Sequence, residues 1–141
     1  MLFPKKVKYR KWQTGRENPN KIGVETRGTR LSFGGFGLKA MSAGRIRSGE
    51  LEAARKACAH NMGKSAKMWT RVFPDRPFTS KPAEVKMGKG KGDLQGYEAV
   101  IRPGRVLFEL DGTDKATALE ALRKAGTKLS IKTKIVTRDI V

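Results

Sequence analysis

The sequence predicts an α+β fold, with antiparallel or mixed strands forming a compact sheet and two helices beside it. Three observations support this. Period-two alternation and helical spacing follow one another in the order strands, helix, strands, helix, strand. The gaps between candidate strands are too short for repeated parallel crossovers. Apolar residues make up 38% of 141 positions, enough for one domain with a real core. The expected organisation is a basic arm and loop over residues 1–28, then a single domain over 29–141. A Gly/Lys loop at 86–93 protrudes from that domain.

Each element has its own signal. Thr29–Phe33 alternates at period two, and Phe36–Met41 resumes after Gly34-Gly35, so two extended segments flank a Gly-rich bend. The first helix starts at Ser48 as N-cap, carries Glu50 and Glu52 in its first turn, and stops at Gly63. Its inward stripe is Leu51, Ala54, Cys58 and Met62; His60 faces solvent near its end. Lys67–Phe73 alternates as a strand stopped by Pro74, and Asp75-Arg76-Pro77 makes a turn. Phe78–Met87 is extended and proline-punctuated, and Gly96–Ile101 forms a strand. Arg102-Pro103-Gly104-Arg105 is a turn with Pro followed by Gly. Val106–Leu110 is a strongly apolar strand. Thr113 or Asp114 caps a second helix that turns Ala118, Leu119, Leu122 and Ala125 inward and closes at Gly126. Ile131–Val136 ends the fold as a strand, with Lys132 and Lys134 pointing away from Ile131 and Ile135.

Charge bounds the function. Lys and Arg number 31 against 13 Asp and Glu, a formal +18. Such an excess opposes compaction by self-repulsion, so a polyanionic partner is expected. The excess is uneven: residues 1–47 hold 12 Lys and Arg against Glu17 and Glu25, which is +10 of the +18. A single Cys excludes an intramolecular disulfide, and with a single His the chain has no plausible zinc set. Cys58 reads as a small core residue. The chain shows no apolar run near the roughly 18 residues of a membrane span and no signal-peptide pattern, which points to a soluble, reducing compartment.

Two stretches offer chemistry suited to nucleic acid. The first is the arm, where Lys5, Lys6, Lys8, Arg10, Lys11 and Arg16 are interleaved with Phe3, Tyr9 and Trp12 and no acid intervenes. Cations among aromatics suit phosphate contact combined with stacking. The second is Lys86-Met87-Gly88-Lys89-Gly90-Lys91-Gly92-Asp93. Its glycines permit close backbone approach and its only charges before Asp93 are ammonium groups, so an anion alongside would relieve their repulsion. Arg45 and Arg47 before the first helix, and Arg55 and Lys56 off its apolar stripe, extend the cationic surface. Gly34-Gly35-Phe36-Gly37 contains a GxG but lacks the strand-to-helix context of a dinucleotide site. No carboxylate pair backed by a base, Ser/His/Asp set or GxxxxGK[ST] loop is present, so catalysis is not expected.

Several of these stretches together resemble one family. Met1–Lys11, Ser32–Ala40, Lys67–Asp75, Lys86–Gly92, Pro103–Leu107 and Leu129–Thr133 are similar, in order and at fitting spacing, to the bacterial-type L-sixteen family of large-subunit ribosomal proteins. The likeness covers nearly the whole chain. It implies an α/β hammerhead-like fold, no catalysis, no cofactor, no metal and no small-molecule substrate. It also implies a place on 23S rRNA in the cytoplasmic large subunit beside other ribosomal proteins. Contact with A-site tRNA follows from the same resemblance, with P-site tRNA as its outer reach. On that basis Lys5, Lys6, Lys8, Arg10, Lys11, Trp12, Arg16, Arg45 and Arg47 are expected to bind rRNA. Arg55, Lys56, Lys86, Met87, Gly88, Lys89, Gly90 and Lys91 are expected to face tRNA or the rRNA around it. Lys86 stands where many members carry Arg, so planar stacking or modification of that arginine does not transfer. The alternative is a free-standing basic RNA-binding or architectural protein, which shares the charge but not the ordered motifs.

Overall fold

In a computed structural model, which describes residues 2–12, 21–80 and 91–138, the strands divide into two sheets, both antiparallel. The elements in chain order are β1 (Phe36–Ala40), β2 (Gly44–Arg47), α1 (Ser48–Met62), β3 (Lys67–Thr70), β4 (Arg76–Ser80), β5 (Asp93–Ile101), β6 (Val106–Asp111), α2 (Lys115–Gly126) and β7 (Thr133–Thr137). One sheet has the order β3-β6-β1-β7 and the other β2-β5-β4. Of the chain's four passages between them among the described residues, two run through Met41–Ala43 and through the Arg102–Arg105 turn. These two lie side by side: Ala40 N–H donates to the Arg105 carbonyl at 2.8 Å and Gly104 N–H to the Ala40 carbonyl at 2.7 Å. Gly104 has φ +103°, which a side chain would resist, so the Pro-Gly turn is a requirement of this crossing.

The core forms where the two helices cover the sheets. Leu38, Phe108 and Leu110 come from the first sheet, Ile46, Ala99 and Ile101 from the second, and all are essentially inaccessible. Helix α1 contributes Leu51, Ala54 and Cys58; α2 contributes Ala118, Ala121, Leu122 and Ala125. The helices pack on each other with small residues on both apolar faces, which allows a close approach. Cys58 is a core residue, and burial pushes its thiol up to about 11.

Several elements differ from their sequence signals, each for a tertiary reason. Thr29–Phe33 is not a strand, because its amides bond a side chain instead of a neighbouring strand. Gly44–Arg47, expected only as the lead-in to the first helix, is a strand paired with β5 from Gly44↔Ile101 to Arg47↔Glu98. The N-cap is accordingly Arg47, not Ser48, and its N–H donates to the Glu50 carboxylate at 2.9 Å. Arg76 and Pro77 belong to β4 rather than to a turn; Pro77 is tolerated because β4 is an edge strand. Strand β5 begins at Asp93 rather than Gly96, since Ser80↔Asp93 and Thr79↔Leu94 extend the β4–β5 pairing. Strand β3 ends at Thr70 although Arg71 N–H still bonds the Leu107 carbonyl at 2.8 Å. Asp114 caps α2 by accepting from Thr117 N–H at 3.4 Å. Leu119 is only half-buried, and Ala121 takes the core position. Strand β7 starts at Thr133 rather than Ile131. The turn at 102–105 is as expected, with Arg105 N–H donating to the Arg102 carbonyl at 3.3 Å.

The segment before β1 is held by a buried carboxylate. Glu109 lies on the sheet face opposite the helices and is fully inaccessible. One of its oxygens accepts from Ser32 N–H at 2.7 Å, Phe33 N–H at 2.9 Å and Gly34 N–H at 3.1 Å; the other is bonded by the Arg71 guanidinium. Gly34 must be a glycine, because a Cβ there would lie 2.6 Å from the Leu110 carbonyl oxygen. Burial alone would push Glu109 up. The hydrogen bonds from Arg71 and the three amides outweigh it and hold the carboxyl below its ordinary value.

Removing this carboxylate should be costly. Glu109→Ala leaves three amides unpaired and takes from Arg71 its carboxylate, and a loss of roughly 3–5 kcal/mol is expected from urea unfolding, a large share of a domain stability of about 5–15 kcal/mol. Glu109→Gln should lose less. Because the folded value is depressed, the ionic contribution is complete above the unfolded value of about 4.3 and disappears as pH falls through the lower folded value. The gap in unfolding midpoint between wild type and Glu109→Gln should therefore narrow on acidification. A gap that stays constant throughout the acid range would remove the Glu109 charge from the folding linkage.

Candidate nucleic-acid interface

The outer face of the β2-β5-β4 sheet collects what the sequence scattered. Arg47, Glu98 and Arg76 are cross-strand partners in one row, and Arg45 pairs with Val100 in the next. Directly paired residues share a face, so three guanidinium groups gather there, two of them beside the Glu98 carboxylate. Arg45 Nη1 lies 3.6 Å and Arg76 Nε 3.8 Å from Glu98 Oε1. Glu98 is nearly buried beneath them and offsets one of the three positive charges, so the row stays net cationic. The Arg47 guanidinium stacks 4.5 Å above the Phe78 ring, and Gly96 opposite leaves room for that ring. Val100 is exposed beside them.

The arm reaches this face. Lys5, Lys6, Lys8, Arg10 and Lys11 are all exposed, as are Phe3 and Tyr9, and Lys8 lies 5.6 Å from the Tyr9 ring centre. Trp12 sits under the Arg76 guanidinium at 5.6 Å, and its carbonyl accepts from the Lys91 ammonium. Trp12 is thereby a joint between arm and sheet as well as an exposed ring. Arg16, Lys86, Met87, Gly88, Lys89 and Gly90 lie outside the described residues. Ser80 and Asp93, on either side of that last stretch, are paired in β4 and β5.

On α1 the outcome is mixed. Lys56 and Arg55 are exposed as expected, but Arg55 is pinned along the helix to Glu52, with Nε 3.2 Å from Oε2. That hydrogen bond raises Arg55 above its ordinary value and lowers Glu52. Arg55 also lines an open cleft of about 560 Å³ with Leu2, Thr70, Arg71, Phe73 and Arg105. Arg105 is fixed there by the carbonyls of Arg27 at 3.3 Å and Arg71 at 3.2 Å. Arg71, Arg76, Phe78, Glu98 and Arg105 were not singled out from the sequence. For Arg76 and Phe78 the missing signal was the pairing of β4 with β5. For Arg71 it was Glu109, an acid set inside an apolar strand.

Comparison with known proteins decides the family. Residues 4–136 match the family described as Ribosomal protein L16p/L10e. The chain belongs to the L16p/L10e ribosomal protein family. Among its relatives is the large ribosomal subunit protein uL16 of Sulfurihydrogenibium sp. (strain YO3AOP1), 52% identical over 136 residues and 96% of each chain. The uL16 of Halorhodospira halophila (strain DSM 244 / SL1) is 50% identical over 141 residues and the whole of both chains. That of Mesorhizobium japonicum is 49% identical over 138 residues and 98% of each. The L16p/L10e membership accounts for the ordered motifs; the arginine-rich sheet face is a property of this chain's own geometry.

If that face meets phosphate, Arg45→Ala with Arg47→Ala should remove two contacts and leave the fold intact, since neither side chain is in the core. The plot of log K against log[salt] for RNA binding should flatten by about 1.4 to 1.8. An unchanged slope would place the phosphate backbone elsewhere.

Proposed function

We propose that this protein is a structural constituent of the large ribosomal subunit that binds 23S rRNA and helps position A-site tRNA, with P-site tRNA at the edge of its reach. It has no catalytic role. The observation that carries the reading is the family membership over residues 4–136 joined to a face where Arg45, Arg47 and Arg76 meet the cationic arm at Trp12. The arm of residues 1–28 threads between rRNA segments, its cations on phosphates and its aromatics on bases or sugars. The domain of 29–141 carries the loop at 86–93 toward tRNA. Lys86, Lys89 and Lys91 there supply positional charge rather than base reading, because lysine is a point charge without a planar fork. The partners are rRNA, tRNA and neighbouring large-subunit proteins in a cytoplasmic ribosome of bacterial type. Among the described residues no helix is long and apolar enough to cross a membrane.

Sedimentation tests the placement. The protein should travel with large subunits through high-salt gradients, whereas a free-standing RNA binder would redistribute to the top fractions. Particles reconstituted with Lys86, Lys89 and Lys91 all changed to Ala should still assemble, since substitutions away from packed features change stability by about 0.5 kcal/mol or less and the described contact they remove is that of Lys91 with the Trp12 carbonyl. They should bind A-site tRNA more weakly, and the deficit should grow as salt rises. Wild-type tRNA binding and elongation across the salt range would reduce the loop to a solvated hairpin tip.

A further inference from the structure

We propose that Phe33 is a stacking platform for one unpaired RNA base, presented by the Glu109 node at a site separate from both the arm and the arginine-rich sheet face. The proposal rests on the RNA-binding reading above and gives it a second, sequence-tolerant contact.

Trp69 and Arg71 are two residues apart along one extended segment, so their side chains leave on the same side. The Phe33 ring lies across both. Its centroid is 5.8 Å from that of Trp69 at an interplanar angle of 20°, and the Arg71 guanidinium is 5.2 Å from its centre. With both partners on the sheet side, the open area of Phe33 faces outward, and 55% of the residue remains accessible. A single exposed aromatic is ordinary on a protein surface. What distinguishes this one is how firmly it is held.

The backbone around Phe33 is immobilised from both ends. Ser32, Phe33 and Gly34 N–H groups converge on the buried Glu109 carboxylate. Arg138 N–H donates to the Gly35 carbonyl at 2.8 Å and its Nη2 to the Leu31 carbonyl at 3.2 Å. A ring fixed in advance loses little conformational freedom on binding, and its solvent-facing surface is available to a flat partner. The chemistry around it is cationic. Arg30 and Arg138 are exposed on this segment and on the C-terminal stretch bonded to it; residues 29–36 contain no acid, and the exposed Asp111 carboxylate beside Gly35 offsets only one of these charges. Glu109 is buried and matched by Arg71, so it does not repel an anion. An apolar protein surface would satisfy the ring but leave these cations unmatched. A nucleotide supplies a π-face for Phe33 and a phosphate for Arg30 or Arg138. No base-edge donor or acceptor is fixed at the ring, so any base can stack there.

The test uses the full chain, a single-stranded RNA substituted with 5-iodouridine, and a duplex RNA of equal length. Photocrosslinking should attach the single strand to Phe33, identified by fragmenting the peptide that carries it. Phe33→Leu should weaken single-strand binding by about 5- to 150-fold, the range of stacking one base on an aromatic ring. Phe33→Tyr should stay within about 2-fold of wild type, because it keeps the platform, and neither change should alter duplex binding. Crosslinks confined to Tyr9 or Trp12, or equal single-strand affinity for Phe33→Leu and wild type, would overturn the platform while leaving RNA binding in place. Equal losses in Leu and Tyr variants, or losses shared with the duplex, would overturn it too, assigning Phe33 a packing role. A wild-type chain that binds neither RNA would sink this inference and the functional reading together.

Discussion

The Glu109 carboxylate is the constraint on which the outer side of this molecule depends. A carboxylate without access to water is tolerable only when its lone pairs are met, and here a guanidinium and three main-chain amides meet them. Once it is placed in the middle of β6, the consequences spread along the sheet. The segment before β1 gives up strand pairing to supply its amides. Arg71 is held above the sheet, and its carbonyl is left free to receive Arg105. Arg105 in turn bonds the Arg27 carbonyl, and Val106 N–H bonds that of Gly28 at 2.8 Å. One buried charge thus fastens the chain that leads from the arm into the domain.

A chain with a formal +18 must arrange its cations so that folding is possible. It does so by giving arginine, rather than lysine, most of the structural tasks. Arg71, Arg105 and Arg138 bond carbonyls or a buried carboxylate, and Arg45 and Arg76 bracket Glu98. The planar fork of arginine suits several acceptors at once. The lysines of the arm stay exposed, and so does Lys91, which bonds a main-chain carbonyl rather than an acid. Self-repulsion is therefore concentrated where a polyanion would relieve it, while the core remains apolar and close-packed.

Much of this was legible because it is local. The apolar stripe of α1, most of that of α2, the Asp114 cap, the Pro-Gly turn, the extended β1 and the apolar run of β6 each arise from neighbouring residues, and the structure keeps them. Errors gathered where a distant partner overrules local pattern. Thr29–Phe33 alternates like a strand, yet its amides belong to Glu109, 75 to 77 residues away. Arg76-Pro77 has turn composition, yet an edge position beside β5 makes it a strand. Gly44–Arg47 is too short to be read as a strand until β5 is placed against it. The cationic arm was visible in the same way as the stripes, by composition. The face made by Arg45, Arg47, Arg76 and Phe78 was only half visible.

Taken alone, the sequence determined the α+β class, both helices with their core stripes, the need for a polyanionic partner and the ordered motifs of a ribosomal protein family. These follow from spacing and charge, which are properties of the chain before it folds. The tertiary structure decided the division into two sheets and the pairing that sets Arg76 beside Glu98. It also decided the docking of Trp12 and the clamp that turns Ser32–Gly34 into a rigid mount for Phe33. Each of these depends on a hydrogen bond or ion pair between residues far apart in sequence. Such partners are specified by geometry, because any of the many exposed arginines could have met either acid until the strand register brought particular ones within reach.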